Sequence, residues 1–173
     1  MILVEILVLI VLVLSFFSGF KEGAVKNFFS LIILIISIPL TGLWYHLIAT
    51  LFAFLPGENW EHFIGFFITL GLINAVLQLI CLIPRKIVQK MWKKCVFFRL
   101  LGGGLNLLNA SIGLVVFTLV IGAYPFVSWL EKVVTNLSIL SWLVTQLGFV
   151  QLMLPEIFQE TASLVVTVLV ILG

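Results

Sequence analysis

Four runs of apolar residues, each about as long as a membrane is thick, constrain this chain more than any other feature. The runs cover about residues 2–20, 28–45, 63–83 and 101–124, and a hydrocarbon core of about 30 Å needs about 20 residues of helix. The chain is 63% hydrophobic and 9% charged, whereas soluble domains are about 25% charged. A soluble core of this size has no room for so much apolar surface. The sequence therefore predicts an all-α integral membrane protein with a four-span membrane domain over residues 1–127.

The charged residues predict the orientation of these spans. Eight of the nine Lys and Arg residues fall in the loops that follow the first and third runs, and six of the seven glutamates fall on the other side. Loops rich in Lys and Arg stay in the cytoplasm, so both termini are expected outside. The first run contains Glu5 and lacks the basic start of a cleaved signal peptide, which favours a retained helix. The basic loops contain Lys21, Lys26, Arg85, Lys86, Lys90, Lys93, Lys94 and Arg99.

The second run is the least regular of the four. Pro39 lies inside it, which predicts a kink, and the apolar residues continue beyond Tyr45 to Leu55. The extra length would be accommodated by tilt, or residues 47–55 would lie in the membrane interface.

The third loop, RKIVQKMWKKCVFFR over residues 85–99, has the pattern of an amphipathic helix. Its apolar residues recur at helical spacing, and basic residues occupy the other side. This pattern predicts a helix in the plane of the membrane that contacts the anionic inner leaflet. The alternative is that the charges only set the orientation. The expected lipid contacts are Arg85, Lys86, Lys90, Lys93 and Lys94, and the apolar face comprises Ile87, Val88, Met91, Trp92, Cys95 and Val96.

Residues 128–173 are expected to form a C-terminal amphipathic segment on the outer face. Residues 137–154 are long enough to cross the membrane, but Ser138, Ser141, Thr145 and Gly148 recur at helical spacing and make a weakly polar stripe. No Lys or Arg follows to hold a far end inside. A helix on the outer surface is therefore preferred, with a fifth span as the alternative.

Small and amide residues within the spans predict where helices pack closely. Gly19 and Gly23 form a G-x-x-x-G motif, and Gly102 begins a row with Asn106, Ala110 and Gly113 on the fourth span. We expect Gly19 to contact Gly102, since both lie at the cytoplasmic face. The amides of Asn106 and Asn109 could bond to Asn74 and Gln78 of the third span. Alternatively, the amides Asn74, Gln78, Asn106 and Asn109 would line a polar pathway in a transporter or channel.

The sequence indicates no catalytic site and no cofactor. His46 and His62, with Glu58 and Glu61 nearby, are the candidates for a metal cluster, but their spacing matches no H-E-x-x-H pattern. The net charge of +2 is too small to suggest nucleic-acid binding. We therefore expect a protein that is not an enzyme, with membrane lipid and a second membrane protein or copy of the chain as its partners.

Two segments resemble the colicin V production protein family (CvpA-like bacterial inner-membrane proteins). They are GFKEGAVKNFFSL over residues 19–31 and RLLGGGLNLLNASIGL over residues 99–114, and the resemblance extends over about residues 1–158. Gly19, Gly23, Arg99 and Gly102 match the family pattern, whereas Asn106 and Ala110 stand where the family tends to repeat glycine. The resemblance implies an accessory or scaffold protein in toxin production or export and in envelope homeostasis, with no established reaction.

Overall fold

The computed structural model describes residues 2–52, 60–91, 96–123 and 138–153. Within those residues the chain is helical and contains no strand. The four longest helices are long and apolar enough to cross a membrane, so the predicted all-α, four-span class is confirmed. In chain order the helices are α1 (Ile2–Glu22), α2 (Ala24–Ala49), α3 (Trp60–Ile80), α4 (Leu82–Met91), α5 (Val96–Ala123), α6 (Ser138–Gln146) and α7 (Gly148–Met153), with a 3₁₀ turn at Thr50–Phe52 after α2.

The helices do not have the same bounds as the predicted spans. Helix α2 begins at Ala24 instead of residue 28 and continues to Ala49 instead of 45, because a single residue, Gly23, makes the turn from α1. Helix α3 ends at Ile80 instead of 83. Pro84, the first residue after the predicted third span, lies in the first turn of α4, where a missing N–H breaks no helical hydrogen bond. Helix α5 begins at Val96 instead of 101.

Helix α5 lies in the groove between α1 and α2. Along α5, Gly102 and Asn106 contact Gly19 and then Ser15, so α5 runs antiparallel to α1. Between α5 and α2 the contacts run in the same direction along both helices. Gly102 bonds to Asn27 and Asn109 bonds to Ser30 further along, so α5 and α2 are parallel. Helices α1 and α2 therefore form a hairpin with α5 against both of its arms.

Helix α3 packs on the other side of α2. Ala49 approaches Gly65, and the rings of Tyr45 and Phe66 are 6.0 Å apart, so the two helices run antiparallel. The four spanning helices thus alternate in direction. The end of α1, the beginnings of α2 and α5, and the end of α3 lie at the same end of the bundle. We call this end, which carries Lys21, Lys26, Arg85, Lys86 and Arg99, the basic face.

The apolar core lies away from the basic face, around the second half of α5. There Ile112, Val115, Val116, Leu119, Val120 and Ile121 are buried with residues of every other spanning helix. Of the membrane-spanning window in α5, 44% is buried, against 11% in α1 and 17% in α3. Helix α5 is therefore the most buried of the four, followed by α2 at 39%, whereas most of the surface of α1 and α3 is exposed.

The described part of the C-terminal segment packs on this core. Leu140, Leu143, Val144 and Val150 are buried, whereas Trp142 and Phe149 are exposed. A break at Leu147 separates α6 from α7, and their nine and six residues are each too few to span a membrane. Residues 124–137 and 154–173 lie outside the described residues.

Candidate functional site

A single residue, Gly23, connects α1 to α2. Its backbone has φ +87° and ψ 162°, a conformation that favours glycine. The Lys26 ammonium pairs with the Glu22 carboxylate across this break. Both side chains are about one-third exposed, at 34% and 32%, so the ion pair contributes little stability. The turn depends on the absence of a side chain at residue 23.

The hairpin meets α5 through backbone contacts at Gly102. A Cβ atom on Gly102 would lie 2.6 Å from the carbonyl carbon of Gly23, 2.7 Å from the oxygen of Gly19 and 2.8 Å from the nitrogen of Ala24. A Cβ atom on Gly19 would overlap the Gly102 oxygen and the Asn106 Cβ. The structure thus brings the glycines of the two sequence motifs into direct contact.

Asn27 joins these glycines through its side-chain amide. The amide nitrogen Nδ2 lies 3.1 Å from each of three backbone oxygens, those of Gly19, Gly23 and Gly102. An amide carries two hydrogens, so three acceptors share two donors. The residue is 1% exposed. We call Gly19, Gly23, Asn27 and Gly102 the Asn27 clasp.

Sequence reasoning did not include Asn27 in this site. A signal was present, because Gly19, Gly23 and Asn27 follow one another at steps of four residues and four-residue steps fall on one face of a helix. The predicted second span begins at about residue 28, which leaves Asn27 just outside it.

The amides of α5 bond to the hairpin, not to α3. Asn106 Nδ2 donates to the backbone oxygen of Ser15 at 2.6 Å, and Asn109 Nδ2 to the Ser30 hydroxyl at 3.4 Å. The expected bonds from these amides to Asn74 and Gln78 are wrong. The reason is the position of α5 in the groove of the hairpin, which turns this face of α5 toward α1 and α2.

A family model described as "Colicin V production protein" matches residues 4–153. The chain belongs to the colicin V production protein family. Neither the curated proteins nor the solved structures gave a match. The resemblance seen in the two glycine segments is therefore confirmed, and the chain is a multi-pass membrane protein of this family.

In this member of the colicin V production family, three of the four matched motif positions are in the clasp and one is not. Gly19, Gly23 and Gly102 meet there, whereas Arg99 lies three residues before Gly102 with its side chain exposed. Asn106, one turn further along α5 than Gly102, bonds to α1 through its amide. The contact between α1 and α5 therefore includes a hydrogen bond beside the close approach at Gly102.

The four candidate pathway amides make two different kinds of hydrogen bond. Asn106 and Asn109 bond to the hairpin, whereas Asn74 Oδ1 accepts a bond from Gln78 Nε2 at 2.7 Å within α3. Buried hydroxyls in the spans donate to carbonyls one turn earlier in their own helices, namely those of Ser37, Thr41, Thr69, Ser111 and Thr118. These five hydroxyls therefore bond within their own helices.

The predicted lipid contacts are described only in part. Arg85 is half-buried at the basic face and Lys86 is exposed. Lys90 belongs to α4, but its side chain is outside the described residues, as are Lys93 and Lys94 entirely.

The candidate metal residues do not make a metal site within the described chain. The rings of His46 and His62 are 5.9 Å apart and both lie against Tyr45, and His62 Nε2 is 3.6 Å from the Glu61 carboxylate. No group of three His, Cys, Asp or Glu side chains that could hold a metal occurs among the described residues. Glu58 lies outside them.

Proposed function

We propose that this protein is an accessory or scaffold protein of the bacterial inner membrane that supports toxin production or export and envelope homeostasis. The observation that carries the proposal is the match to the colicin V production family over residues 4–153. The motif residues support a role in assembly, because they are glycines and an amide that hold helices together. We propose a role without catalysis for the same reason.

The arrangement of polar groups supports a scaffold over a transporter. A transport pathway needs polar side chains that converge on a common route through the membrane. Here Asn106 is committed to the backbone of α1, and Asn74 and Gln78 bond to each other. The exposed apolar sides of α1 and α3 offer surface for a membrane-protein partner or a second copy of the chain.

Loss of the gene tests the role directly. In a strain that produces a peptide toxin, deletion should lower the toxin recovered from the medium, and the wild-type gene should restore it. A Gly102→Leu gene should fail to restore it, because the clasp has no room for a side chain. A matched Gly104→Leu gene should restore it, since a Cβ on Gly104 has no neighbour within 4 Å. Unchanged toxin release in the deletion strain would refute the proposal.

Flux measurements distinguish a scaffold from a transporter or channel. The purified protein in liposomes is expected to release neither ions nor small solutes. Flux that disappears in an Asn106→Leu variant would refute the scaffold and support a channel. Crosslinking in the membrane should capture a partner or a second copy.

We further propose that the basic face is cytoplasmic and the N-terminus is outside. The alternating helix directions put the basic ends together, and basic loops are retained in the cytoplasm. A reporter that is active only outside the cytoplasm should be inactive after Lys94 and active after Glu58 and Gln159. Activity after Lys94 would overturn the orientation, and a cytoplasmic result after Gln159 would establish a fifth span.

A further inference from the structure

Polar side chains from three helices meet in a cavity at the basic face. The cavity has a volume of about 30 Å³ and lies between α2, α3 and α4. Lys26 and Ser30 come from α2, Gln78 from α3 and Arg85 from α4. The volume admits one or two groups the size of a water molecule, and a phosphate oxygen is of that size. Two cations, an amide and a hydroxyl are donors suited to a phosphate.

The charge in this cavity remains positive after its neighbours are counted. Glu22 pairs with Lys26, but an ammonium has three donors and this carboxylate does not use all of them. Arg85 adds a second positive charge and a fork of donors, half-buried in the wall. The Ser30 oxygen accepts from Asn109 Nδ2 at 3.4 Å, and its O–H can still donate.

An apolar groove of about 510 Å³ adjoins the cavity on the other side of Phe29. The groove lies between α2, α4 and α5, and the described residues that line it are all apolar. Its walls include Val25, Phe28, Val88, Leu101 and Leu105, and Phe29 lines both spaces. On α4, Arg85 faces the cavity and Val88 faces the groove. These residues are three apart and so share one face of the helix.

The groove runs from the basic face into the membrane. Its α5 wall extends from Phe98 to Leu105, a rise of about 10 Å along a helix. One leaflet of the hydrocarbon core is about 15 Å thick. The groove therefore follows the first two-thirds of an acyl chain that descends from a head group at the basic face.

We propose that an anionic phospholipid binds at this place. Its phosphate lies at the mouth of the cavity between Lys26 and Arg85, and one acyl chain lies in the groove against Phe29. Charge complementarity selects an anionic head group, and the adjoining apolar groove selects a lipid over a free phosphate. The site is independent of the proposed role in toxin production.

Lipid titration of the purified full-length protein tests the site. The delipidated protein is titrated with phosphatidylglycerol or phosphatidylethanolamine, and bound lipid is measured by native mass spectrometry. We expect tighter binding of phosphatidylglycerol, and Arg85→Gln should lower its affinity about fivefold. The matched control Lys21→Gln removes an exposed charge of the same face that lines neither space, and it should leave the affinity unchanged. Equal losses in the two variants would show only general surface attraction and would overturn the proposal.

A second pair of variants tests the groove without changing any charge. Val88→Trp should fill the groove and lower the affinity for both lipids. Ile87→Trp, at an exposed position of the same helix that lines neither space, should not. This pair decides the question if Arg85→Gln gives no folded protein. Unchanged binding in Val88→Trp would refute the position proposed for the acyl chain. Displacement of the lipid by an equal concentration of glycerol phosphate would show a phosphate site instead of a lipid site.

Discussion

Replacing Gly102 by alanine adds one methyl group where α5 meets the backbone of the hairpin. The new Cβ would meet three backbone atoms of the hairpin at 2.6, 2.7 and 2.8 Å. Carbon atoms pack at about 3.5–4.0 Å, so α5 must move about 1 Å from the hairpin. Backbone atoms cannot rotate away as a side chain can.

Three terms determine the cost of this change. Overpacking in a well-packed core costs about 1–3 kcal/mol. The same movement lengthens the contact from Asn27 Nδ2 to the Gly102 oxygen, now 3.1 Å, to about 4 Å, which is beyond hydrogen-bond range. Such bonds between membrane helices average about 0.6 kcal/mol. Alanine recovers up to about 1 kcal/mol of helix propensity. We expect a net loss of about 1–3 kcal/mol.

The assay is unfolding by SDS in mixed micelles, followed by far-UV circular dichroism. Gly104→Ala is the matched control, because Gly104 lies two residues further along α5 with no neighbour within 4 Å of a Cβ. That variant should be as stable as the wild type or more stable by up to about 1 kcal/mol. The reasoning is refuted if Gly102→Ala unfolds like the wild type, or if both variants lose the same stability.

Three further substitutions separate the forces that hold the bundle. Asn27→Leu should lower the free energy of unfolding by about 1–2 kcal/mol because its shared bonds are lost. Asn74→Leu removes only the bond from Gln78 within α3 and should cost at most about 0.6 kcal/mol, so equal losses would contradict the clasp. Gly23→Ala should lower the free energy of unfolding by about 1–3 kcal/mol because alanine is strained at a φ of +87°, although the new Cβ would have no neighbour within 4 Å. Stability like that of the wild type would show that the turn tolerates a side chain. Gly65→Ala would press on the α2 backbone at 2.8 Å and cost about 1–3 kcal/mol, whereas Gly71→Ala, with open space around it, should be neutral or stabilising in the same SDS titration.

The number of spanning helices follows from hydropathy alone, because length and apolarity are local properties of a segment. The exact ends of the helices do not follow from hydropathy, because they depend on whether nearby polar side chains find hydrogen-bond or ion-pair partners in the fold. Lys26 and Asn27 predict a loop in isolation. In the fold, Glu22 pairs with the first and three backbone oxygens accept from the second, so both lie within the first turn of α2.

The choice of helix neighbours is the part of the site that sequence could not provide. A buried amide must find a hydrogen-bond partner, and this requirement identifies Asn106 and Asn109 as contact residues. It does not say which helix supplies the partner. The partner helix is determined by the position of α5 in the groove between α1 and α2. That position depends on the fit of Gly102 against Gly19 and Gly23, which are about eighty residues away in the sequence.

The beginning of α2 serves two sites at once, and this arrangement predicts a coupling between them. Asn27 points toward α1 and α5, while Lys26 and Ser30 face α3 and α4. The conformation of Gly23 sets the direction in which this turn leaves α1, so Gly23→Ala should weaken phosphatidylglycerol binding as well as stability. Gly65→Ala disturbs the contact between α2 and α3 near Ala49, at the far end of α2, and should lower stability alone. Native mass spectrometry should show weaker phosphatidylglycerol binding by Gly23→Ala than by Gly65→Ala, under conditions where both variants are equally folded. Equal binding by the two variants would show that the clasp does not influence the lipid site.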